Sequence, residues 1–309
     1  MESRVEDGAP QKEHGIGPAV AGAYGALTRR PEGALERRSG KMCWAKRSEN
    51  AGGFTLIELL VVISIITLLM ALLFPALQKA KRQAQGVGCQ GKLRQAGLMF
   101  AMYIEGNDGR FPLARDSWGN PLWLTDPYWS FKDQPELVFC PSATVEPHPD
   151  PPWVHYPGER FRAYAHWVGP SKWVFGSYGL NHFVFDRTHP EHLRTHWGGH
   201  DCRSIGGAGR IPILMDSTHL AVGAIYLDLR GPPEYEGYDY DNPWSWMCIN
   251  RHDPGINVVF MDWSVRKVGL KELWTLKWHR QFDTSGPWTK AGGVLPEDWP
   301  KWMRKFKDY

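Results

Sequence analysis

The sequence predicts an α+β protein in which one long N-terminal helix, half of it in a membrane, carries an antiparallel β-sheet head. Three observations predict this. An apolar run, residues 54–74, holds 21 residues with one ionisable side chain, Glu58, and at 1.5 Å of rise each it makes a helix of roughly 30 Å, the thickness of a bilayer core. Behind it Leu77, Ala80, Ala84 and Val87, then Leu93, Ala96, Phe100 and Ile104, form an apolar stripe at helical spacing. From Phe111 the composition changes to Trp, Pro, Tyr and Gly with short apolar runs, the pattern of strands and turns.

The apolar run is too long for a cleavable secretory signal, whose apolar core is normally about 7–15 residues ending in an A-x-A-like site. A buried helix of a soluble protein rarely runs this far without a polar face. A carboxylate in hydrocarbon costs a few kcal/mol even on lenient insertion scales, roughly 2.5–3.5 kcal/mol for a charge at mid-membrane, so Glu58 needs a partner or a task.

Gly53-Phe54-Thr55-Leu56-Ile57-Glu58, preceded by the basic Lys46 and Arg47, resembles the signal of type IV prepilins and type II secretion pseudopilins. The resemblance implies that a prepilin peptidase cuts after Gly53 and N-methylates Phe54. It also implies that Glu58 pairs with the N-terminal ammonium of a neighbouring subunit, and that Pro75 matches the proline at the end of the family's membrane segment. Such a proline should kink or loosen the helix. Burying an ammonium with a carboxylate removes a desolvation problem from each. The implied partners are prepilin peptidase, other pilin-like subunits, an inner-membrane assembly platform and membrane lipid.

The expected organisation is a leader at 1–53, a pilin-like helix at 54–105 with its membrane span at 54–74, and a Trp-rich head at 106–309. The leader shows no apolar period and reads as disordered. Met42 offers a start that leaves a short basic leader, with a long leader as the alternative. Lys79, Lys81 and Arg82 follow the span, so the positive-inside rule alone does not orient it. The resemblance does: N-terminus cytoplasmic, single-pass in the inner membrane, head periplasmic or at the cell surface. Past residue 53 there are 27 Lys+Arg against 26 Asp+Glu, a balance that gives no reason to expect nucleic acid.

Gly86, Gly88 and Gly91 should weaken the helix and create chance matches to G-x-G-x-x-G and to the start of a phosphate loop. No strand precedes them, and Leu93 stands where Ser or Thr would hold magnesium. Glu105-Gly106-Asn107-Asp108-Gly109 should end the helix. The stretch Cys89 to Pro112, Phe139-Cys140-Pro141-Ser142 and Ser177-Tyr178-Gly179-Leu180-Asn181 resemble a bacterial subgroup of pseudopilin-like proteins. His252 and Asp262, nine residues between them, match that subgroup's H-x9-D-G signature except that Trp263 replaces the glycine. A structural role for His252 and Asp262 is favoured over catalysis, since no third group is placed by spacing.

Candidate strands are 137–139, 164–168, 173–175, 182–185, 211–215 and 221–227, with a hairpin at 256–261 and 264–268 turning at Asp262-Trp263. Leu270, Leu273, Trp274, Trp278 and Phe282 have the spacing of a short helix, and the basic, aromatic tail from Trp299 reads as a docked segment.

Cys89, Cys140, Cys202 and Cys248 are compatible with two disulfides in an exported domain, or with buried thiols. His192, His196 and His200, spaced by four, are candidate zinc ligands, with a solvated loop as the alternative because Gly198 and Gly199 interrupt a helix. Asp228, Glu234, Glu236, Asp239 and Asp241 offer the oxygen ligands that calcium takes, though not at EF-hand spacing. Beyond these zinc and calcium candidates no cofactor is expected.

No nucleophile signature is present, so the chain is not expected to be an enzyme. The expected function is that of a pilin-like subunit in a type II secretion or type IV pilus-like filament. The alternative is a membrane-tethered module that reads a polysaccharide with some of its 16 tryptophans, whose rings more often build a core.

Overall fold

A computed structural model describes residues 54–112, 135–145, 159–167, 173–185, 195–222, 230–237 and 242–309. Helix α1, Leu56–Gly106, is 51 residues long and continues through Pro75 and all three glycines. Residues 54–84 are exposed along their whole length, and an 18-residue window of α1 has mean hydropathy 2.9 with none of it buried. Among the described residues, α1 is the helix long and apolar enough to cross a membrane.

Burial begins where the stripe meets the head. Cys89, Leu93, Ala96, Gly97, Phe100 and Ile104 lie inside, at the three-and-four spacing of one helix face. The glycines are tolerated because the head comes close: a Cβ on Gly88 would meet Pro141 Cγ at 3.4 Å, and one on Gly97 would meet Val259 Cγ1 at 3.1 Å. Gly91 faces open space. Gly91→Ala is therefore expected to raise the melting temperature through helix propensity, by up to about 1 kcal/mol, and Gly97→Ala to gain less. Equal gains at both positions would contradict the close helix–head contact.

From Ile57 to Tyr309 the chain forms one compact unit; of the unit before it, Met1–Leu56, only 54–56 are described. The main sheet contains β3 (Tyr178–Asn181), β4 (Pro212–Asp216), β6 (Ile256–Phe260) and β7 (Val265–Val268) as four antiparallel strands. The two-residue β5 (Ala221–Val222) joins the β3 edge in parallel, giving the order β5-β3-β4-β6-β7. β1 (Tyr164–Trp167) and β2 (Trp173–Gly176) form a separate antiparallel pair. This is an α+β fold with a pilin-like layout. On β6, Asn257 bonds Gln90 and Val259 packs on Gly97, so these two face α1. Ile256, Val258 and Phe260 point the other way and are buried as well.

That second layer is aromatic. Trp244 stacks on Trp274 at 4.3 Å and meets Trp278 edge-on at 5.6 Å, while Trp274 meets Trp299 at 5.3 Å. The C-terminal segment is fastened over it: Trp299 and Met303 are buried, and Lys271 donates to Asp308 at 2.7 Å.

Several elements differ from the sequence expectation. Of residues 137–139 the first two close a 3-10 turn, Pro135–Val138, and Phe139 follows it; the carbonyls of Glu136 and Phe139 accept from Lys92 of α1. Residues 182–185 are a 3-10 turn, His182–Val184, started by the Asn181 side chain accepting from the Phe183 amide; the strand lies just before it, in β3. Of 221–227 only the first two residues form a described strand. The helix expected after Gly269 is a six-residue 3-10 segment, Leu270–Thr275. The β6–β7 hairpin falls as expected, and Trp263 adopts the left-handed conformation, φ +65°, that a glycine at that position would favour.

Candidate functional site

Four segments far apart in sequence bring their polar side chains to one buried point. Cys89 comes from α1, at the start of its buried face. Cys140 follows the 3-10 turn of Pro135–Val138 and is held by its amide, which donates to Ser177 Oγ at 2.6 Å. Asp216 ends β4. His252 sits in the turn entering β6. That turn is fixed by Gly255, whose amide donates to Asn250 Oδ1 at 3.1 Å and whose carbonyl accepts from the His252 amide at 2.9 Å. Gly255 has φ +131°, and a Cβ there would strike Val268 O, so the turn requires glycine.

His252 Nε2 lies 3.0 Å from Asp216 Oδ2 and 3.3 Å from Cys140 Sγ. Cys89 Sγ is 3.6 Å from each Asp216 oxygen. One ligand-type atom from each of Cys89, Cys140, Asp216 and His252 lies within 4.8 Å of all the others.

A surrounding layer of donors orients these groups. Tyr178 Oη donates to Cys89 Sγ at 3.3 Å, the Ser142 amide to Cys140 Sγ at 3.4 Å, and the Asn257 amide to Asp216 Oδ2 at 2.8 Å. The Arg251 guanidinium, wholly buried, stands 3.4 Å from Asp216 Oδ1. The His252 Nδ1 face turns to α1, where a Cβ on Gly86 would lie 3.6 Å from it.

Burial alone would raise the Asp216 carboxyl, but His252, Arg251 and the Asn257 amide outweigh it and hold the group below the usual carboxylate range. Burial likewise works against charge on His252, yet Asp216 and Cys140 raise it to about 10. Cys140 is lowered to about 6: burial opposes this, and donation from Cys89 and His252 and the Arg251 charge prevail. Cys89 is raised by burial, by Cys140 and by Asp216.

The residues singled out in sequence divide around this point. The Phe139-Cys140-Pro141-Ser142 and Ser177-Tyr178-Gly179-Leu180-Asn181 stretches, Cys89 and His252 all converge on it. Asp262 does not: it is exposed at the hairpin, where its Oδ1 accepts from the Ser264 amide and hydroxyl. The four cysteines, weighed as two disulfides or as buried thiols, are free and buried. Cys248 is 3.9 Å from Met303 Sδ in the core, and the Cys202 amide donates to Gly109 O. Asp216 and Arg251 were missed by sequence reasoning, and no spacing rule would have joined them to Cys89.

The other candidates are not assembled into a site. His196 packs against the Phe183 ring at 5.0 Å, and Arg280 donates to His200 Nε2 at 2.7 Å. Among the described residues neither joins a group of three metal-ligating side chains, and His192 lies outside them. Glu236 accepts from the Asn250 amide at 2.8 Å and faces Arg160 at 3.8 Å, while Glu234 is exposed. Asp228, Asp239 and Asp241 lie outside the described residues, as does Gly53. Phe54 and Glu58 are exposed at the start of the apolar helix. Among the described residues every tryptophan with a placed side chain is buried or half-buried, as a core role requires. One cavity of about 320 Å³ opens beside Trp274 and Trp288.

Comparison with known proteins bears on the N-terminal segment. A family model described as the prokaryotic N-terminal methylation motif matches residues 50–74. The ComG operon protein 3 homolog of Bacillus licheniformis is 35% identical over 63 residues, which is 20% of this chain and 65% of that protein. The chain thus matches somewhat less than two thirds of the relative's length. No solved structure matches this chain.

Proposed function

We propose that this chain, which carries a prokaryotic N-terminal methylation motif at residues 50–74 and a single-pass membrane anchor, is a pilin-like subunit of a type II secretion or type IV pilus-like filament. The observation that carries the reading is the position of the motif: it runs from residue 50 through the apolar first part of α1, whose one ionisable side chain before Lys79 is Glu58. In this reading prepilin peptidase cuts after Gly53 and methylates Phe54, the span at 54–74 stores the subunit in the inner membrane, and an assembly platform extracts it. Glu58 and the Phe54 amine then set the register between subunits. The head faces the periplasm or the cell surface and supplies contacts to other subunits. Methylation keeps the amine cationic, so the pairing survives in low dielectric.

Intact-mass and N-terminal analysis of the chain, expressed with its peptidase and extracted from membranes, tests this reading. The expected product starts at N-methylated Phe54. A chain still starting at Met1 or Met42 overturns it.

A further inference from the structure

We propose that Cys89, Cys140, Asp216 and His252 form a tetrahedral zinc site that fastens the helix to the head. The inference rests on the geometry of the cluster and does not depend on the subunit reading.

Two thiols, an imidazole and a carboxylate are the donor types that zinc takes in closed, four-coordinate sites. Zinc at about 2.0–2.1 Å from nitrogen and oxygen and about 2.3 Å from sulfur separates its tetrahedral ligands by roughly 3.3–3.8 Å. The separations already present are 3.0 Å for His252 Nε2 to Asp216 Oδ2, 3.3 Å for His252 Nε2 to Cys140 Sγ and 3.6 Å for Cys89 Sγ to Asp216. The two shortest of these would open by a few tenths of an ångström, and the remaining pairs, all within 4.8 Å, would close by no more than about 1 Å to reach tetrahedral spacing.

Charge also balances. Two thiolates and a carboxylate set against a divalent ion and the buried Arg251 sum to zero, which a site with side-chain exposures of 0% at Arg251 and Asp216 and 2% at His252 requires. Each of the three anionic ligands has its own outer donor: Tyr178 for Cys89, the Ser142 amide for Cys140, and the Asn257 amide and Arg251 for Asp216. Such a layer fixes ligand orientation and supports affinity. With four protein ligands and almost no solvent access the ion has no open position, so its role is structural. It would tie α1, the segment after the Pro135–Val138 turn, the end of β4 and the turn into β6 at one point.

The test uses the full chain, solubilised in detergent and prepared with reductant in metal-free buffer, then titrated with zinc or cobalt. One equivalent is expected to bind per chain, and cobalt should give the visible bands of a tetrahedral ion with a thiolate charge-transfer band. Cys89→Ser should weaken binding by about a hundredfold or more and diminish that band. His200→Asn and Cys202→Ser, which alter side chains outside the cluster, should leave stoichiometry and spectrum unchanged. Reduced wild-type protein that takes up no metal overturns the proposal, as does binding that survives Cys89→Ser with the same spectrum. So does a Cys89–Cys140 disulfide as the sole form in protein purified anaerobically. Because stoichiometry and spectrum are read on the wild type, the test stands even if a variant fails to fold.

Discussion

Arg251→Met is expected to destabilise the head by about 3–5 kcal/mol, the cost of removing one partner from a buried charged network. The methionine keeps most of the stem volume, so the loss reports the guanidinium. That group donates to Arg160 O and Ser177 O at 2.7 Å, to Arg162 O at 3.1 Å and to Ser217 O at 3.3 Å, besides standing beside Asp216. Its removal takes a donor from four carbonyls, those of Ser177 and Ser217 in buried bonds, and leaves Asp216 with one fewer compensating charge. For a unit of this size the melting temperature should fall by roughly 6–20 °C. Arg203→Met is the comparison. Arg203 pairs with Asp201 at 2.8 Å, but both side chains are more than 40% exposed, and little change is expected. Matched thermal melts of the two variants check the pair. Similar small shifts would mean that the Arg251 network contributes nothing to the head.

The contrast between those two arginines shows where sequence reasoning stops. The apolar helix was legible because length and hydropathy are local: no neighbour is needed to read 21 residues with one charge. Leu93, Ala96, Phe100 and Ile104 were legible for the same reason, since three-and-four spacing marks a face. Of the three glycines read as weak points, Gly91 faces open space and fits that reading, while Gly88 lies against Pro141, an approach that spacing cannot supply. The 3-10 turns at Pro135–Val138 and Leu270–Thr275 have strand-like or helix-like composition, and each accepts a hydrogen bond from a distant residue, Lys92 to Glu136 O and Arg210 to Thr275 O, that composition does not announce. The cluster was half legible: Cys89, Cys140 and His252 stood out as residue types or motif positions. Asp216 gave no signal, lying in an apolar strand 127 positions from Cys89. The histidines spaced by four were weighed against a solvated loop because Gly198 and Gly199 interrupt a helix, and in the structure His196 and His200 have other partners.

Glu58→Ala is expected to leave the chain in the membrane and to remove it from filaments. Alanine lowers the cost of inserting the helix, since a charge at the bilayer centre costs roughly 2.5–3.5 kcal/mol on insertion scales; a defect in anchoring is therefore not expected. What the substitution removes is a carboxylate in the third residue of α1, four positions after Phe54. If an N-methylated ammonium is buried against that carboxylate in the next subunit, alanine leaves the cation in hydrocarbon with no counter-charge. Even 1.4 kcal/mol per contact is tenfold in the association constant, and a filament repeats the contact at every subunit. The variant should accordingly accumulate as a processed membrane monomer, with incorporation into sheared or cross-linked assemblies reduced at least tenfold. Glu58→Asp, which keeps the charge on a shorter stem, should recover part of it. Unchanged incorporation of Glu58→Ala would remove the register role from this residue. A wild-type chain that is processed but never found in any assembly would point to a tethered display module, in which Glu58 has no subunit to meet.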